Sequence, residues 1–252
     1  MKSRFALVVL FFSIGAYAQQ PATVPPTAES VVNRAFEVIA GPAWQSARYF
    51  AFTFVVDRDG KTVATFPQRF DRVTGDYRVS GLDPQGKKFD VILNVNTIQG
   101  KAWLDGAPVT GQKLAPLLTS LGYRRYQNDV FWLLMQFKMR DQAVKRIYVG
   151  SRDDACGHTW DIVQPSFESG FGFSPNDLYR VWINRDTGLI ESWDMKLAGS
   201  PADEGPVTVM FRDYRRVGGL LISARREIPS KKQNVRLEEL QVLPEPPKGA
   251  FE

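Results

Sequence analysis

Between residues 47 and 104 the chain falls into runs, separated by turns, in which apolar side chains recur at every second position. Phe50, Phe52, Phe54 and Val56 fall on one side of an extended chain, with Tyr49, Ala51, Thr53 and Val55 on the other. Asp57-Arg58-Asp59-Gly60 supplies a hairpin turn, and the next strand runs from Lys61 toward Phe70. Val73-Thr74-Gly75 turns the chain into a strand over 76–80. Phe89, Val91, Leu93 and Val95 then alternate with Asp90, Ile92 and Asn94, before a turn at Gly100 and a strand at 102–104. The same period returns at 144–149, 158–163, 178–184, 189–197, 207–214, 220–228 and 235–243. Turn residues at 153–157, 186–188 and 218–219 separate several of these runs. The pattern predicts two antiparallel meanders with about eleven strands in all.

Helical spacing appears in three places. Thr27 suits a helix cap, Val32, Ala35, Phe36 and Ile39 form one apolar face, and Gly41-Pro42 stops the helix. Trp44 is expected to pack back on that helix end. Leu114, Leu117, Leu118 and Leu121 form a second face, with Gly122 as its stop. The third segment, from Asn128 to Asp141, is the densest apolar run after the N-terminus, with Asn128 or Asp129 as its expected cap. A long sheet with one bulky face must bury it under helices, against another sheet or around a cavity. Three short helices cover little, so the economical fold is mainly β: one large antiparallel sheet curled into an unclosed barrel, its concave side covered by short helices. The segment between strands from Gln164 to Asn176 is rich in Ser, Gly and Phe and reads as a mobile loop.

The N-terminus adds a targeting signal. Lys2 and Arg4 precede the apolar stretch 5–16, and Ala16-Tyr17-Ala18 is a small-x-small cleavage site. Residues 1–18 thus read as a signal peptide, 19–27 as a flexible leader and 28–252 as a single domain exported to the periplasm or beyond. Residues 1–18 hold two of the 32 Lys and Arg and none of the 27 Asp and Glu, leaving 30 basic against 27 acidic side chains. That balance, well mixed along the chain, does not point to nucleic acid. The densest basic cluster holds Arg212, Arg215, Arg216, Arg225 and Arg226, read first as outward strand positions and second as an anionic-surface site.

Catalytic chemistry is thinly provided. His158 is the single histidine and Cys156 the single cysteine, so no intramolecular disulfide forms. With Asp153, Asp154 and Asp161 they invite a Cys–His or metal reading, but a structural site takes four ligands and no second His or Cys exists. The simpler reading is a polar hairpin with a buried thiol. Gly170-Phe171-Gly172 lacks the strand and Lys-Ser/Thr helix of a phosphate loop, and Glu238-Glu239 reads as solvated strand-edge charge. No catalytic residue, metal or cofactor is expected.

The run Phe131-Trp132-Leu133-Leu134-Met135-Gln136-Phe137-Lys138-Met139-Arg140-Asp141 resembles a motif of uncharacterised bacterial secreted proteins. Phe173-Ser174-Pro175-Asn176-Asp177-Leu178-Tyr179, Trp182-Ile183-Asn184, Thr187-Gly188-Leu189-Ile190, Asp213-Tyr214-Arg215-Arg216-Val217-Gly218-Gly219-Leu220 and Ile228-Pro229 are similar to its later signatures. The likeness covers roughly Trp44 to the C-terminus. It departs from that pattern at Gln136, where Pro is expected, and at Gln142-Ala143, where Pro-Gly is expected. That group in turn resembles the lipoprotein carriers LolA and LolB, which implies an open half-barrel with an apolar cavity for acyl chains. The expectation is an envelope protein that carries a lipid or lipoprotein acyl chain, as a monomer with transient membrane-surface contact. The alternative is a ligand-free envelope protein with a solid core; a hydrolase ranks third. Phe131, Trp132, Met135 and Phe137 are candidate cavity cover, and Phe52, Phe54, Trp160, Trp182 and Trp193 candidate lining.

Overall fold

A computed structural model describes residues 25–167, 177–201 and 203–252. The signal segment, most of the leader, Gly170-Phe171-Gly172 and Phe173-Ser174-Pro175-Asn176 lie outside these residues. The first meander comprises β1 (Tyr49–Arg58), β2 (Lys61–Asp71), β3 (Asp76–Leu82), β4 (Lys88–Asn94), β5 (Gln99–Leu104) and β6 (Ala107–Val109). The second comprises β7 (Val144–Asp153), β8 (Thr159–Phe167), β9 (Leu178–Asn184), β10 (Ile190–Lys196), β11 (Val207–Val217), β12 (Leu220–Ile228) and β13 (Gln233–Leu243). All thirteen lie in one antiparallel sheet, ordered β6-β5-β4-β3-β2-β1-β13-β12-β11-β10-β9-β8-β7. The β6 and β7 edges do not pair with each other, so the barrel is unclosed.

The count exceeds the expected eleven partly because β6 is only three residues long and contains Pro108. Its signal is the preceding Asp105-Gly106. Both residues have positive φ (49° and 82°), as a two-residue type I′ hairpin requires. Asp59-Gly60 makes the same turn between β1 and β2 (50° and 76°). Strand β8 reaches Phe167, so the front of the expected 164–176 loop is paired strand.

Helix α1 (Ala28–Ile39) begins where the sequence places it. The Thr27 hydroxyl accepts from the Ser30 N–H, and the Ser30 side chain accepts from the Thr27 N–H. Its buried face is Val31, Val32, Ala35, Phe36 and Ile39, and Trp44 of α2 (Ala43–Ser46) meets Phe36 edge-on at 6.1 Å.

The expected second and third helices are one irregular helical path from Gly111 to Arg140. It contains α3 (Leu114–Leu117) and α4 (Phe131–Leu134), with π turns at Leu118–Tyr123 and Tyr126–Val130 between them. Gly122 does not stop this path. A Cβ there would lie 2.3 Å from Leu93 and 2.8 Å from Val91, so the glycine lets the helix approach β4. Asp129 is likewise no cap; it sits fully buried in mid-helix.

Two apolar clusters fill the concave side. One gathers β1–β5 with Leu133, Leu134 and Phe137; the other gathers β8–β11 with the first turns of α1, Met135 and Met139. Partly buried Trp132 packs against both. Among the described residues no helix is long and apolar enough to cross a membrane.

Candidate functional site

The central helical path lies over the concave face, and each of its large side chains has a defined seat. Phe131 meets Trp193 edge-on at 6.5 Å, and Phe137 stacks on Trp44 at 4.8 Å. Met135 is fully buried, as are Leu133 and Phe137. Polar contacts fix the path to the sheet. The Gln68 side chain donates to Asp129 at 2.6 Å and accepts from the Tyr77 hydroxyl at 2.6 Å; Asn128 donates to the second Asp129 oxygen at 2.7 Å. Arg125 stands 3.8 Å from the same carboxylate. Burial dominates over these partners and pushes Asp129 up to about 6.

Gln136 holds the path at the point where the sheet parts. Strands β12 and β13 pair only from Arg225–Ile228 to Gln233–Arg236, although β12 pairs with β11 from Leu220 onward. In the gap, the Gln136 amide donates to the Leu221 carbonyl at 2.7 Å and accepts from the Ser223 N–H at 3.3 Å. A proline at this position could offer neither bond, so the departure from the expected motif has a structural role. Gln136→Leu removes the partner of the buried Ser223 N–H and of the part-buried Leu221 carbonyl. It is expected to lower stability by about 2–4 kcal/mol, measured as a urea-midpoint shift at constant slope; an unchanged midpoint would show that β12 is satisfied from elsewhere.

Where the cover meets the rim of the sheet there is a cleft of about 240 Å³. Its walls are Phe54 and Val56 of β1, Val235 of β13, Ile228 of β12, Met195, Leu197 and Val207, with Trp132, Arg125 and Asn128 from the cover and the polar Lys231 and Gln233 completing the lining. A larger hollow of about 520 Å³ adjoins it at Ile228 and Gln233 but lies among the turn residues Asp59, Gly60, Pro229 and Lys232. The smaller cleft is the better candidate, because an apolar ligand needs apolar walls.

The candidate lining residues divide between the two faces of the sheet. Phe52, Phe54 and Trp193 are buried on the helix-covered face. Trp160 and Trp182 are on the opposite face. Register places Trp182 beside Ile162 and Trp160 beside Asn184, while Asp161, Val163, Val181 and Ile183 turn toward the helices. Each of the two indoles donates to a carboxylate at 2.7 Å, Trp160 to Glu191 and Trp182 to Asp194. Arg180, two residues before Trp182, is the signal that marked this face as outward. The cleft residues Val56, Met195, Leu197, Val207, Ile228 and Val235 were not among the candidates, although their strand period already pointed them inward.

The residues weighed for chemistry also separate. Cys156 is exposed at the β7–β8 turn, not buried, and His158 pairs with Asp154 at 3.1 Å. Asp161 is on the inner face, where Arg34 of α1, Arg185 and Tyr148 hold it at 2.7, 2.6 and 3.0 Å. These partners keep its carboxyl below the usual carboxylate range. In the basic cluster, Arg212 and Arg225 reach Glu227 and Asp213 as outward positions, whereas Arg226 is fully buried on the inner face.

No protein-family model matches the chain and no curated protein matches it. The architecture nevertheless defines a class: the chain has the LolA-like fold, an open antiparallel half-barrel covered by helices. It is similar to the LolA superfamily protein NE2245 from Nitrosomonas europaea, at 9% identity and a TM-score of 0.51, over 90% of this chain and 98% of that one. A domain named for outer membrane lipoprotein sorting from Vibrio parahaemolyticus matches at 7% identity and a TM-score of 0.46, over 88% and 94%. The Mycobacterium tuberculosis lipoprotein LppX matches at 10% identity and 0.31, over 87% and 98%. Of these three, only the first carries weight, and it speaks for the fold alone.

Proposed function

We propose that this protein binds and carries a lipid or another acyl-chain ligand between the curved sheet and the central helical path, in the cell envelope and without covalent chemistry. The observation that carries the reading is the largely apolar cleft at the seam of the two core clusters, with partly buried Trp132 in its wall. The LolA-like fold and the secretory pattern of residues 1–18 support the same reading. At about 240 Å³ the cleft is smaller than the ~300–1,000 Å³ of ordinary ligand sites, so the cover must shift to admit a chain. Each methylene buried contributes about 0.8 kcal/mol toward that shift. The ligand-bearing protein is a monomer that touches a membrane surface transiently.

A solid-core envelope protein is the second reading, favoured by the complete burial of Leu133, Met135 and Phe137. Trp132→Ala separates the two. Under the carrier reading the variant loses ligand binding by at least about tenfold, while stability falls by about 1–3 kcal/mol, less than the ~3–5 of a fully buried aromatic. Lipid extraction of protein purified from its own envelope supplies the ligand for that measurement. Repeated recovery of protein without any hydrophobic ligand, with a full-size stability loss in the variant, would sink the carrier reading.

A further inference from the structure

Arg226 is a charged side chain placed inside the apolar core. It is fully buried on the inner face, and its Nη1 donates to the Ser223 carbonyl at 2.6 Å. Its Nε and Nη2 have no partner, and no described carboxylate pairs with it. Burial lowers the guanidinium to about 10, so it remains charged at neutral pH. The guanidinium carbon lies over the Phe211 ring at 5.3 Å from its centroid, but no described anion balances the charge, and holding an unpaired cation in an interior costs several kcal/mol.

The unfilled edge has a specific shape. Nε and Nη2 lie side by side and match the two oxygens of a carboxylate or phosphate. Arg48, Arg78, Arg185 and Arg236 each turn this same edge to a carboxylate, those of Asp71, Asp90, Asp161 and Asp57. In all four pairs the acid comes from the chain itself. For Arg226 none of the described residues provides one.

A second orphan donor shares this half of the sheet. Trp193 Nε1 is buried without a partner. Trp193 pairs in register with Val209 of β11, and Phe211, two residues further along that strand, pairs with Arg226. Neither donor lines the cleft itself, but Arg226 has neighbours on the inner face that do. Val235, the register partner of Arg226, and Ile228, two residues along its own strand, both line the cleft.

We propose that Arg226, with the Trp193 N–H two strands away on the same face as a second donor, binds the oxyanion of an amphiphile that enters head first, its chain lying in the cleft against Phe54, Ile228 and Val235. The oxyanion is a fatty-acid carboxylate or the phosphate of a single-chain phospholipid. The proposal deepens the acyl-carrier reading and rests on it.

Equilibrium dialysis of the protein with dodecanoate, methyl dodecanoate and dodecyl phosphate tests it. The wild type is expected to bind at least one of the two anions about tenfold or more tighter than the neutral ester; the larger ratio identifies carboxylate or phosphate as the head group. Arg226→Met is expected to keep the ester affinity and lose the preference, and removal of a buried unpaired charge favours its folding. Should that variant not fold, Trp193→Phe removes only the N–H donor and carries the second arm, with a reduced preference as its expected result. Equal binding of ester and anions by the wild type overturns the proposal and leaves the apolar cleft standing. A preference that persists in Arg226→Met, or is unchanged in Trp193→Phe, places the anion elsewhere and overturns it too. Failure to bind any of the three probes overturns the carrier reading itself.

Discussion

Phe137→Ala is expected to cost about 3–5 kcal/mol, much of the stability of a domain of this kind. Phe137 is fully buried and stacks on Trp44, whose ring lies against Phe36 and carries the Arg72 guanidinium carbon 4.4 Å from its centroid. Arg72 in turn donates to the Ala47 and Trp44 carbonyls. Truncation therefore empties a buried site against Trp44, whose backbone Arg72 holds in place, and cavity costs are largest where the surroundings relax least. Urea denaturation followed by tryptophan fluorescence measures the loss. A cost below about 1 kcal/mol would show that the end of the helical path is not part of the folded core.

The second large effect depends on pH. Asp129 is raised from 3.8 to about 6 in the folded protein. Between those values the folded state holds a proton that the unfolded state has released, so stability is full below 3.8 and falls as pH rises through 6. A shift of this size corresponds to about 3 kcal/mol of stability withheld at pH 7. Asp129→Asn cannot ionise. It is expected to exceed the wild type at pH 7 by up to about 3 kcal/mol, with the gap closing toward pH 4. His158, raised by Asp154, acts with the same sign but is common to both proteins and cancels in the difference. Asp57, Asp71 and Asp161 are lowered, so their stabilisation is lost only as pH falls below the ordinary carboxylate range. Denaturation curves at several pH values between 4 and 7.5 decide the matter: parallel profiles for the two proteins would remove Asp129 as the titrating group.

The strands were readable in the sequence because their faces alternate and their turns carry Gly and Asp. Phe50, Phe52 and Phe54 share a face in the structure as they do in the pattern. The central helical path was harder, because π turns break the 3.6 period and a glycine that permits close approach looks the same as one that ends a helix. Trp160 and Trp182 have the bulk of lining residues, but the polar residues of their own strands mark their face as outward. Arg226 follows Arg225, which faces outward with Arg212, yet the period of β12 sets Arg226 on a line with Ile222, Ala224 and Ile228. Gln136 matters only through a gap between strands far away in sequence, which no local pattern encodes.

The pairing of β1 with β13 fixes the order in which the molecule can assemble. Tyr49 lies opposite Leu243, so the centre of the sheet joins segments almost as far apart in the chain as the sheet allows. Each meander can zip from its own hairpins, and such local pairing is fast. The β1–β13 pairing that joins the two meanders forms last, whereas β13 meets β12 locally through four residue pairs. Until that pairing forms, a chain emerging N-terminus first holds β1 as an open edge bearing Phe50, Phe52 and Phe54. The interval before β13 docks is therefore when this protein is most exposed to aggregation.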